Sequence, residues 1–557
     1  MQRNLRILDS EQFDLLVVGA GIYGACAAWD AALRGLKVAI VDKGDFGSAT
    51  SQNSLKTIHG GLRYLQQADI IRMRESIRER RILMKIAPQF VHPLPCIMPT
   101  YGHFTKGREA LFVGLLINDI IGFDRNRLED PEKHLPRGRV ISKNKIVELL
   151  PGISQKGLTG GAIWHDCQTH NSERLLLSFL LAAADEGARA ANYVEATGFL
   201  TRGRRVVGIT ALDRLSGDKF ELRARVVINT TGPWVSNLLR HLETRPRAVP
   251  LKLSSAINLV TRSFIGDYAA GISGRADLIE EDAFVRRGSR LYFIAPWRAV
   301  SLVGTAYAPY EGDPDNYRVT EKEITDFIAE INRAYPAARL TRGDVKAVHG
   351  GLLPMDGVSR RTGEVILSKH YRLIDHRTDG WDGLISVLGV KYTTARDVAE
   401  KAVDISLRKL GAAFIRSRSA EAPIYGGCIP RFDDFLAAAV RSRPEGISPE
   451  SMTHLVYHYG SRYPDILAHI QREPALAGPL TGQRYVTCAE VVHAVREEMA
   501  LTLSDCVLRR TELGSAGDPG EACLTACADL MAREMGWDTE RREKEIREVK
   551  AVYMPRG

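Results

Sequence analysis

Glycine residues near the amino terminus have the spacing with which a protein backbone can hold a nucleotide. The apolar segment Phe13 to Val18 predicts a buried strand of a parallel sheet, and Gly19-Ala20-Gly21-Ile22-Tyr23-Gly24 follows it as a G-x-G-x-x-G motif. The first glycine permits a tight turn, the second lets the backbone approach a pyrophosphate, and the third allows a helix to pack closely on the strand. That helix would present its free N–H groups to the phosphates.

An acidic residue stands where such a site needs one. Ala25 to Arg34 predicts a helix, and Val38 to Val41 predicts the second strand of a βαβ unit. Asp42, at the end of that strand, is placed to accept hydrogen bonds from the hydroxyls of an adenosine ribose. The alternative is a glycine-rich turn in another kind of α/β protein, but the full context favours a nucleotide. The motif by itself does not separate NAD from FAD.

Four side chains could transfer a proton or bind an anion. His59 is the candidate base, because the ordinary pKa of histidine suits proton removal near neutral pH. Arg63 could bind a phosphate with two hydrogen bonds, and Tyr64 could add a hydroxyl. Lys391 follows a predicted strand, where ligands gather in such sheets, and could stabilise negative charge. Alternatively, His59 is structural, Arg63 and Lys391 are solvated, and Tyr64 belongs to the core.

The composition restricts the class of protein. A chain of 557 residues exceeds one hydrophobic core, so we expect two or three domains. Hydrophobic residues make up 45% and charged residues 26%, as in soluble globular enzymes. The net charge of +9 suits an anionic substrate or an anionic membrane surface, and no Lys/Arg tract indicates a nucleic-acid binder. The eight cysteines include no C-x-x-C pair, which favours a reducing cytoplasm and predicts no metal site.

Distant segments must complete the sheet that positions these side chains. Val226 to Asn229 and Leu384 to Leu388 both predict buried strands that end in small residues. From about Ala420 onward the pattern favours helices such as Ala489 to Leu503. The apolar run Leu111 to Phe123 contains an aspartate and is too short to span a bilayer, so it predicts a buried or interfacial helix.

Several segments together resemble one known family. His59-Gly60-Gly61-Leu62-Arg63-Tyr64 is similar to the active-site segment of FAD-dependent glycerol-3-phosphate dehydrogenases. Gly389-Val390-Lys391-Tyr392-Thr393-Thr394 is similar to their Gly-Gly-Lys-Leu-Thr-Thr segment beside the flavin. Further similarities follow in the same order along nearly the whole chain: Asn229 to Val235, Ala295 to Trp297, Gly304-Thr305, Tyr459 to Ser461 and Ala489 to Leu513.

The resemblance implies an α/β fold in which a Rossmann-type FAD-binding domain is interleaved with an α+β substrate domain. The oxidoreductase region would be 1–415, with FAD-binding segments at about 13–95, 155–245 and 349–415 and substrate-domain segments at about 96–154 and 246–348. A linker at 416–432 would lead to an all-α domain at 433–557.

The resemblance also implies which residues form the site. His59, Arg63, Tyr64 and Lys391 would be catalytic, and FAD would be the cofactor. FAD would contact a larger set: Gly19, Ala20, Gly21, Ile22, Gly24, Asp42, Lys43, Ser51, Ser54, Thr57, Gly60, Val194, Thr231, Gly232, Gly389, Val390, Lys391 and Thr393.

The implied reaction is the oxidation of sn-glycerol 3-phosphate to dihydroxyacetone phosphate, with electrons passing to quinone. We therefore expect a cytoplasmic protein, peripheral on the cytoplasmic face of the inner membrane. Its partners would be a small anionic polyol phosphate, a quinone or other electron acceptor and a membrane surface, with no nucleic acid and a homodimer left open.

Residues of the expected substrate wall depart from the family. Leu353 stands where the family's Gly-Val-Arg-Pro has arginine, and Ala306-Tyr307 replaces the end of Gly-Thr-Thr-Asp. Ser368-Lys369-His370-Tyr371 replaces a Ser-Arg-Asp-Tyr-like segment. Leucine cannot donate hydrogen bonds to a phosphate, so oxidation of another polyol phosphate or of a hydroxy acid stays open. A flavin-binding protein without catalysis is the alternative from another class, and retention of His59, Arg63 and Lys391 argues against it.

Overall fold

The computed structural model describes residues 1–102, 107–242, 251–273, 291–360, 362–389 and 391–554. Its strands are β1 (Gln12–Val18), β2 (Val38–Val41), β3 (Thr57–Ile58), β4 (Val91–Tyr101), β5 (Arg139–Ile141), β6 (Leu158–Thr169), β7 (Arg189–Ala191), β8 (Val194–Arg202), β9 (Arg205–Asp213), β10 (Lys219–Asn229), β11 (Lys252–Arg262), β12 (Ala269–Ser273), β13 (Leu291–Trp297), β14 (Val300–Tyr310), β15 (Val345–Val358), β16 (Val365–Leu367), β17 (Arg372–Asp375) and β18 (Leu384–Leu388).

The helices of the described residues are distributed along the whole chain. They are α1 (Leu5–Ser10), α2 (Ile22–Leu33), α3 (Ile70–Ile86), α4 (Arg108–Ile121), α5 (Lys143–Leu149), α6 (Ser172–Asp185), α7 (Val235–Leu239), α8 (Glu321–Ala334), α9 (Ala395–Leu410), α10 (Phe432–Arg441), α11 (Pro449–Tyr459), α12 (Tyr463–Arg472), α13 (Cys488–Glu498), α14 (Leu503–Asp505), α15 (Glu521–Met535) and α16 (Thr539–Tyr553).

An eight-stranded sheet positions the predicted cofactor site. Its main order is β17-β18-β10-β1-β2-β7, and β8 and β9 form a hairpin that extends β10. β18, β10, β1, β2 and β7 run parallel, so their carboxyl ends meet at one edge. The segments that the sequence analysis joined across long distances are therefore neighbours, and the predicted Rossmann-type fold is confirmed.

Both faces of this sheet are covered, which explains why its strands are continuously apolar. Leu15 and Val17 of β1 pack against α2, α6 and α9, whereas Leu16 and Val18 pack against α7 and the β8–β9 hairpin. Alternate residues of a strand point to opposite faces, so a strand buried on both faces needs apolar residues at every position.

A ten-stranded mixed sheet forms the second layer and carries the candidate substrate wall. Its order is β16-β15-β11-β14-β13-β12-β4-β6-β3, with β5 on the edge of β6. β3, β6 and most of β15, which the predicted division assigns to FAD-binding segments, pair within this second sheet. The chain therefore crosses between the two layers more often than that division allows for, and the exact domain limits stay predictions.

The carboxyl-terminal part is helical from α10 onward, and two apolar clusters form its core. The helix predicted to run from Ala489 to Leu503 ends earlier, at Glu498, because Met499 adopts a left-handed φ of 53°. The side chain of Arg510 donates a hydrogen bond at 2.8 Å to the Glu498 carbonyl at that helix end. This contact crosses twelve residues and could not be read from helical periodicity.

The apolar run predicted as a buried or interfacial helix forms α4, of which Leu115 is the buried residue. Phe112, Val113, Leu116, Ile117 and Ile120 are all exposed. The buried alternative is therefore wrong. Within the part of the chain that the structure describes, no helix combines the length and the apolar character needed to cross a bilayer.

Candidate functional site

A cleft of about 680 Å³ opens at the carboxyl edge of the first sheet. The residues that follow β1, β2, β10 and β18 line it. Open α/β sheets bind their ligands at this edge, and cofactor sites commonly have volumes of about 300–1,000 Å³. Position and size therefore both agree with a cofactor site.

The turn between β1 and α2 brings backbone close to the cleft. Gly19 has a φ of +100°, and a Cβ atom there would lie 2.8 Å from the Thr230 carbonyl oxygen. A Cβ atom on Gly24 would lie 1.9 Å from the Gly19 carbonyl oxygen. The Ile22 N–H, at the start of α2, donates to Ser51 Oγ at 3.0 Å. These glycines let the amino terminus of α2 reach the cleft, where its N–H groups suit a pyrophosphate.

The Asp42 carboxylate is fixed at the end of β2. It accepts hydrogen bonds from the N–H groups of Ala20 at 2.7 Å and Gly44 at 2.9 Å. Burial raises the pKa of Asp42 to about 6, and the two N–H groups oppose this increase. The carboxylate is therefore mostly ionised at pH 7 and already oriented to accept bonds from ribose hydroxyls.

Lys43 has partners at the rim of the same cleft. Its ammonium forms an ion pair with Asp315 and lies 4.2 Å from the centre of the Trp234 ring. The Trp234 indole N–H donates to the same Asp315 carboxylate at 2.9 Å. Three distant segments thus meet beside the predicted ribose position, and neither Trp234 nor Asp315 was anticipated from the sequence.

Most of the predicted cofactor-binding residues line the cleft. Ala20, Gly24 and Gly60 do not line it: Ala20 and Gly24 shape the turn, and the Gly60 N–H donates to Asp166 at 2.5 Å. Val390 lies outside the described residues. The residues that line the cleft are Gly19, Gly21, Ile22, Asp42, Lys43, Ser51, Ser54, Thr57, Val194, Thr231, Gly232, Gly389, Lys391 and Thr393.

A second cavity of about 990 Å³ adjoins the cleft. Leu55, Thr57, His59, Thr305, Tyr307, Leu353, Pro354 and Lys391 line both spaces. Arg63 and Tyr64 line the second cavity alone. The structure therefore places all four predicted catalytic residues on the second cavity, with His59 and Lys391 where the two spaces meet.

His59 is held at this junction as a neutral imidazole. Its backbone N–H donates to Thr393 Oγ1 at 3.3 Å, and its ring lies 5.7 Å from the Tyr64 ring. Burial lowers the pKa of His59 to about 4, and the carboxylate of Asp166 opposes that shift. The imidazole can therefore accept a proton at neutral pH, and the Asp166 carboxylate would stabilise the imidazolium that results.

Two cations lie against the Tyr64 ring. The Lys391 ammonium is 4.0 Å from the ring centre, and the Arg72 guanidinium carbon is 3.9 Å from it. Burial lowers the pKa of Lys391 to about 7, and the charge of Arg72 lowers it further. Arg72 was not among the residues expected from the sequence, where it is one of many charged residues on an amphipathic helix.

Comparison with known proteins agrees with this arrangement. Residues 14–393 match the family described as FAD dependent oxidoreductase, and residues 417–542 match the C-terminal domain of alpha-glycerophosphate oxidase. Glycerol-3-phosphate dehydrogenase of Synechocystis sp. is 35% identical over 98% of this chain and 97% of its own length. The chain belongs to the FAD-dependent glycerol-3-phosphate dehydrogenase family.

Other members of the family and one solved structure extend the comparison. The mitochondrial glycerol-3-phosphate dehydrogenase of Homo sapiens is 30% identical over 99% of this chain and 75% of its own length. The glycerol-3-phosphate dehydrogenase of Bacillus halodurans, solved with FAD, has a TM-score of 0.74 at 24% identity, covering 98% of this chain and 95% of that protein. The predicted fold and FAD cofactor are confirmed, and the chain is an FAD-dependent oxidoreductase.

The described residues fit the FAD of this family. Asp42 offers an ionised acceptor at the ribose end, and the start of α2 offers donors to the phosphates. At the other end, a Cβ atom on Gly389 would lie 2.0 Å from the Tyr23 ring, so glycine keeps this loop closed on α2. The Tyr23 hydroxyl donates to the Lys391 carbonyl at 2.7 Å and accepts from the Lys391 N–H at 3.0 Å. Tyr23 of the G-x-G-x-x-G motif therefore positions the loop that carries Lys391, a role that the motif does not reveal.

The helical carboxyl-terminal region also reaches the FAD site. Asp45, three residues beyond Asp42, accepts hydrogen bonds from Arg509 at 2.5 Å and from two nitrogens of Arg510 at 2.7 Å. All three side chains are buried. Nothing in the spacing of these residues predicts the contact, because it joins positions more than 460 residues apart.

Replacement of Asp42 by alanine is expected to weaken FAD binding about ten- to a hundred-fold, because it removes a charge-assisted hydrogen bond to the ribose. Asp42→Asn, which keeps one carbonyl acceptor, should lie between the wild type and alanine. Fluorescence titration of the apoprotein with FAD measures these dissociation constants. Equal constants for all three proteins would show that Asp42 does not contact the cofactor.

Proposed function

We propose that this enzyme oxidises sn-glycerol 3-phosphate to dihydroxyacetone phosphate. The observation that carries the proposal is the cationic second cavity, which meets the FAD cleft at His59 and Lys391. A phosphorylated alcohol in that cavity would have its phosphate among cations and its hydroxyl-bearing carbon beside the cofactor. Family membership supports the same reaction, since the Synechocystis relative is named glycerol-3-phosphate dehydrogenase.

His59 acts as the base in this proposal. FAD, when bound, supplies the acceptor for the hydride that leaves the alcohol carbon. The neutral imidazole of His59 takes the hydroxyl proton, and Asp166 stabilises the positive charge that develops on the ring. A bound phosphate dianion would raise the pKa of His59 back toward its ordinary value, which makes the imidazole a stronger base.

The phosphate is assigned to the side of the cavity that carries Arg63 and Lys391. Arg63 is exposed within the cavity wall and can form two hydrogen bonds to one phosphate. Leu353 lines both spaces and contributes an apolar wall instead of the arginine that the resemblance implies. The substrate's carbon chain, rather than its phosphate, is therefore expected at Leu353.

The apolar wall and the size of the second cavity also support a second candidate, the oxidation of a longer polyol phosphate. A screen under nitrogen separates the two. The FAD-loaded enzyme is mixed with glycerol 3-phosphate, with longer polyol phosphates and with hydroxy acids, and the loss of flavin absorbance is followed. Fastest reduction by glycerol 3-phosphate supports the first candidate, and fastest reduction by another compound assigns that compound instead.

An exposed apolar surface formed by α4, by Phe123 just beyond its end and by Ile71 of α3 supports a membrane surface and a lipid-soluble electron acceptor. Ile71, Ile120 and Phe123 are 78%, 72% and 69% exposed, and the guanidinium groups of Arg74 and Arg127 lie within 5.5 Å of the Phe123 ring centre. An apolar face bordered by cations suits the interface of a bilayer with anionic lipids. Other residues of α4 line the second cavity, so a quinone could approach the active site from the bilayer. The cytoplasmic face of the inner membrane stays the expected location.

Replacement of Phe123 by aspartate is expected to weaken binding to vesicles of anionic phospholipid by at least about ten-fold, because a large apolar side chain no longer enters the bilayer. The matched control is Phe414→Asp, since Phe414 is 73% exposed and lies outside α3 and α4. Co-sedimentation with vesicles measures both variants. Equal losses in the two variants, or no loss in either, would remove α4 from the proposed membrane surface.

A further inference from the structure

Leu353 cannot donate a hydrogen bond to the substrate's phosphate, so other side chains of the second cavity must bind it. The second cavity, within the described residues, is lined by four cationic side chains, Arg63, Arg72, Lys369 and Lys391, and by two carboxylates, Asp166 and Glu364. The Asp166 carboxylate already forms an ion pair with the Arg80 guanidinium, at a distance of 2.5 Å. Cations therefore dominate the cavity, and an anion is the ligand that this arrangement favours.

Arg72 is held in place by contacts on several sides. It is 7% exposed, its NH1 donates to the Lys369 carbonyl at 2.8 Å, and its Nε lies 3.3 Å from Asp69. Its guanidinium lies over the Tyr64 ring. These contacts fix the plane of the guanidinium at the cavity wall, which lowers the entropy that an arginine loses when it binds an anion.

Positive charge surrounds Arg72 on the side away from Asp69. Arg72 lies in the first turn of α3, where the helix dipole disfavours positive charge. It also shares the Tyr64 ring with the Lys391 ammonium, and its charge lowers the pKa of Lys391. A phosphate between these groups would reverse both unfavourable interactions.

We propose that Arg72 is a substrate-binding residue, which holds the substrate's phosphate together with Arg63 and Lys391 in place of an arginine at position 353. The inference rests on the proposed function for the identity of the substrate, but it predicts phosphate binding at this wall for any phosphorylated alcohol. The wall at Leu353 is then free to contact the carbon chain. The phosphate is thus recognised by an arginine at the amino terminus of α3 instead of by an arginine on β15.

Arg72→Leu tests the inference in the FAD-loaded enzyme. The half-saturating concentration of glycerol 3-phosphate in anaerobic flavin reduction should rise about ten- to a hundred-fold, while the limiting rate changes much less. The dissociation constant of inorganic phosphate, read from the flavin spectrum, should rise by a similar factor. Arg81→Leu is the matched control, because Arg81 lies on the same helix but pairs with Asp124 outside the cavity, and it should leave both constants unchanged.

A second substitution distinguishes lost binding from damaged structure. Leu353→Arg, added to Arg72→Leu, should recover part of the lost affinity for glycerol 3-phosphate, since it returns a guanidinium to the same cavity. Where Arg72→Leu does not retain FAD, Arg72→Gln serves for the same measurements, because its amide nitrogen takes about the position of the arginine Nε and can still donate to Asp69. Unchanged phosphate and substrate constants in the Arg72 variants would overturn the inference, even if glycerol 3-phosphate reduces the wild type. Failure of the wild type to react with glycerol 3-phosphate, with phosphate binding still dependent on Arg72, would overturn the proposed substrate alone.

Discussion

Replacement of His59 by alanine is expected to slow flavin reduction by glycerol 3-phosphate about 10²- to 10⁴-fold, the range for loss of a general base. Substrate binding should change much less, because a proton acceptor acts mainly in the transition state. The position of His59 supports this expectation, since it lines both the FAD cleft and the cationic cavity. Stopped-flow reduction under nitrogen gives the limiting rate and the half-saturating concentration separately.

The pH dependence of the wild type adds a check on the same residue. Burial lowers the pKa of His59 to about 4, so the imidazole stays neutral, and able to accept a proton, at every pH well above that value. The second-order rate constant for flavin reduction, which reports the free enzyme, should therefore not fall between pH 8 and about pH 6 through protonation of His59. In His59→Ala, added imidazole should restore part of the rate.

Arg63→Ala is the contrasting variant. An anion anchor acts in the ground state as well as the transition state, so this change should chiefly raise the half-saturating concentration. The division of roles between His59 and Arg63 is wrong if the two variants show the same pattern of limiting rate and half-saturation.

Glycerol 3-phosphate is expected to reduce the flavin at least about 100-fold more efficiently than unphosphorylated glycerol. Without the phosphate, the cations of the second cavity have no anion to bind, and such a buried site discriminates strongly against a ligand that lacks the charged group. The measurement is the ratio of second-order rate constants for anaerobic reduction. A ratio near one would show that the cavity does not select a phosphate.

Two further results sharpen this second prediction. Because the pKa of Lys391 is about 7, its ammonium is lost as the pH rises above that value, and the half-saturating concentration of glycerol 3-phosphate should rise with it. The half-saturating concentration of glycerol, which has no phosphate, should not rise over the same pH range. Leu353→Arg should increase turnover of glycerol 3-phosphate if the wall only lacks an extra anchor, and should decrease turnover of the true substrate if Leu353 contacts a larger carbon chain.

Local sequence patterns were sufficient to predict the strands of the nucleotide-binding core. The strand before Gly19, the strand before Asp42 and the strand at 384–388 are each buried and short, and the structure forms all three. Their neighbouring positions in one parallel sheet follow from the rule that carboxyl ends of such strands share an edge. The predicted site residues were brought together for the same reason, because most of them directly follow these strands.

Contacts between distant side chains could not be predicted from such patterns. Arg72 occupies a charged amphipathic helix, and its place over Tyr64 depends on how α3 packs beneath the loop at 59–64. Asp45 meets Arg509 and Arg510 only because the helical region folds back onto the first sheet. The sequence of α4 did not show whether the helix is buried or exposed, since an apolar run fits both a protein core and a membrane surface.

The enzyme is proposed to oxidise a phosphorylated alcohol with FAD, using His59 as the base and the cationic cavity to bind the phosphate. The most direct test mixes the purified FAD-loaded enzyme with a slight excess of sn-glycerol 3-phosphate under nitrogen and follows both flavin absorbance and product. We predict loss of the oxidised flavin band and formation of about one dihydroxyacetone phosphate per flavin. Flavin that stays oxidised with glycerol 3-phosphate and with every other phosphorylated polyol tested would contradict the account.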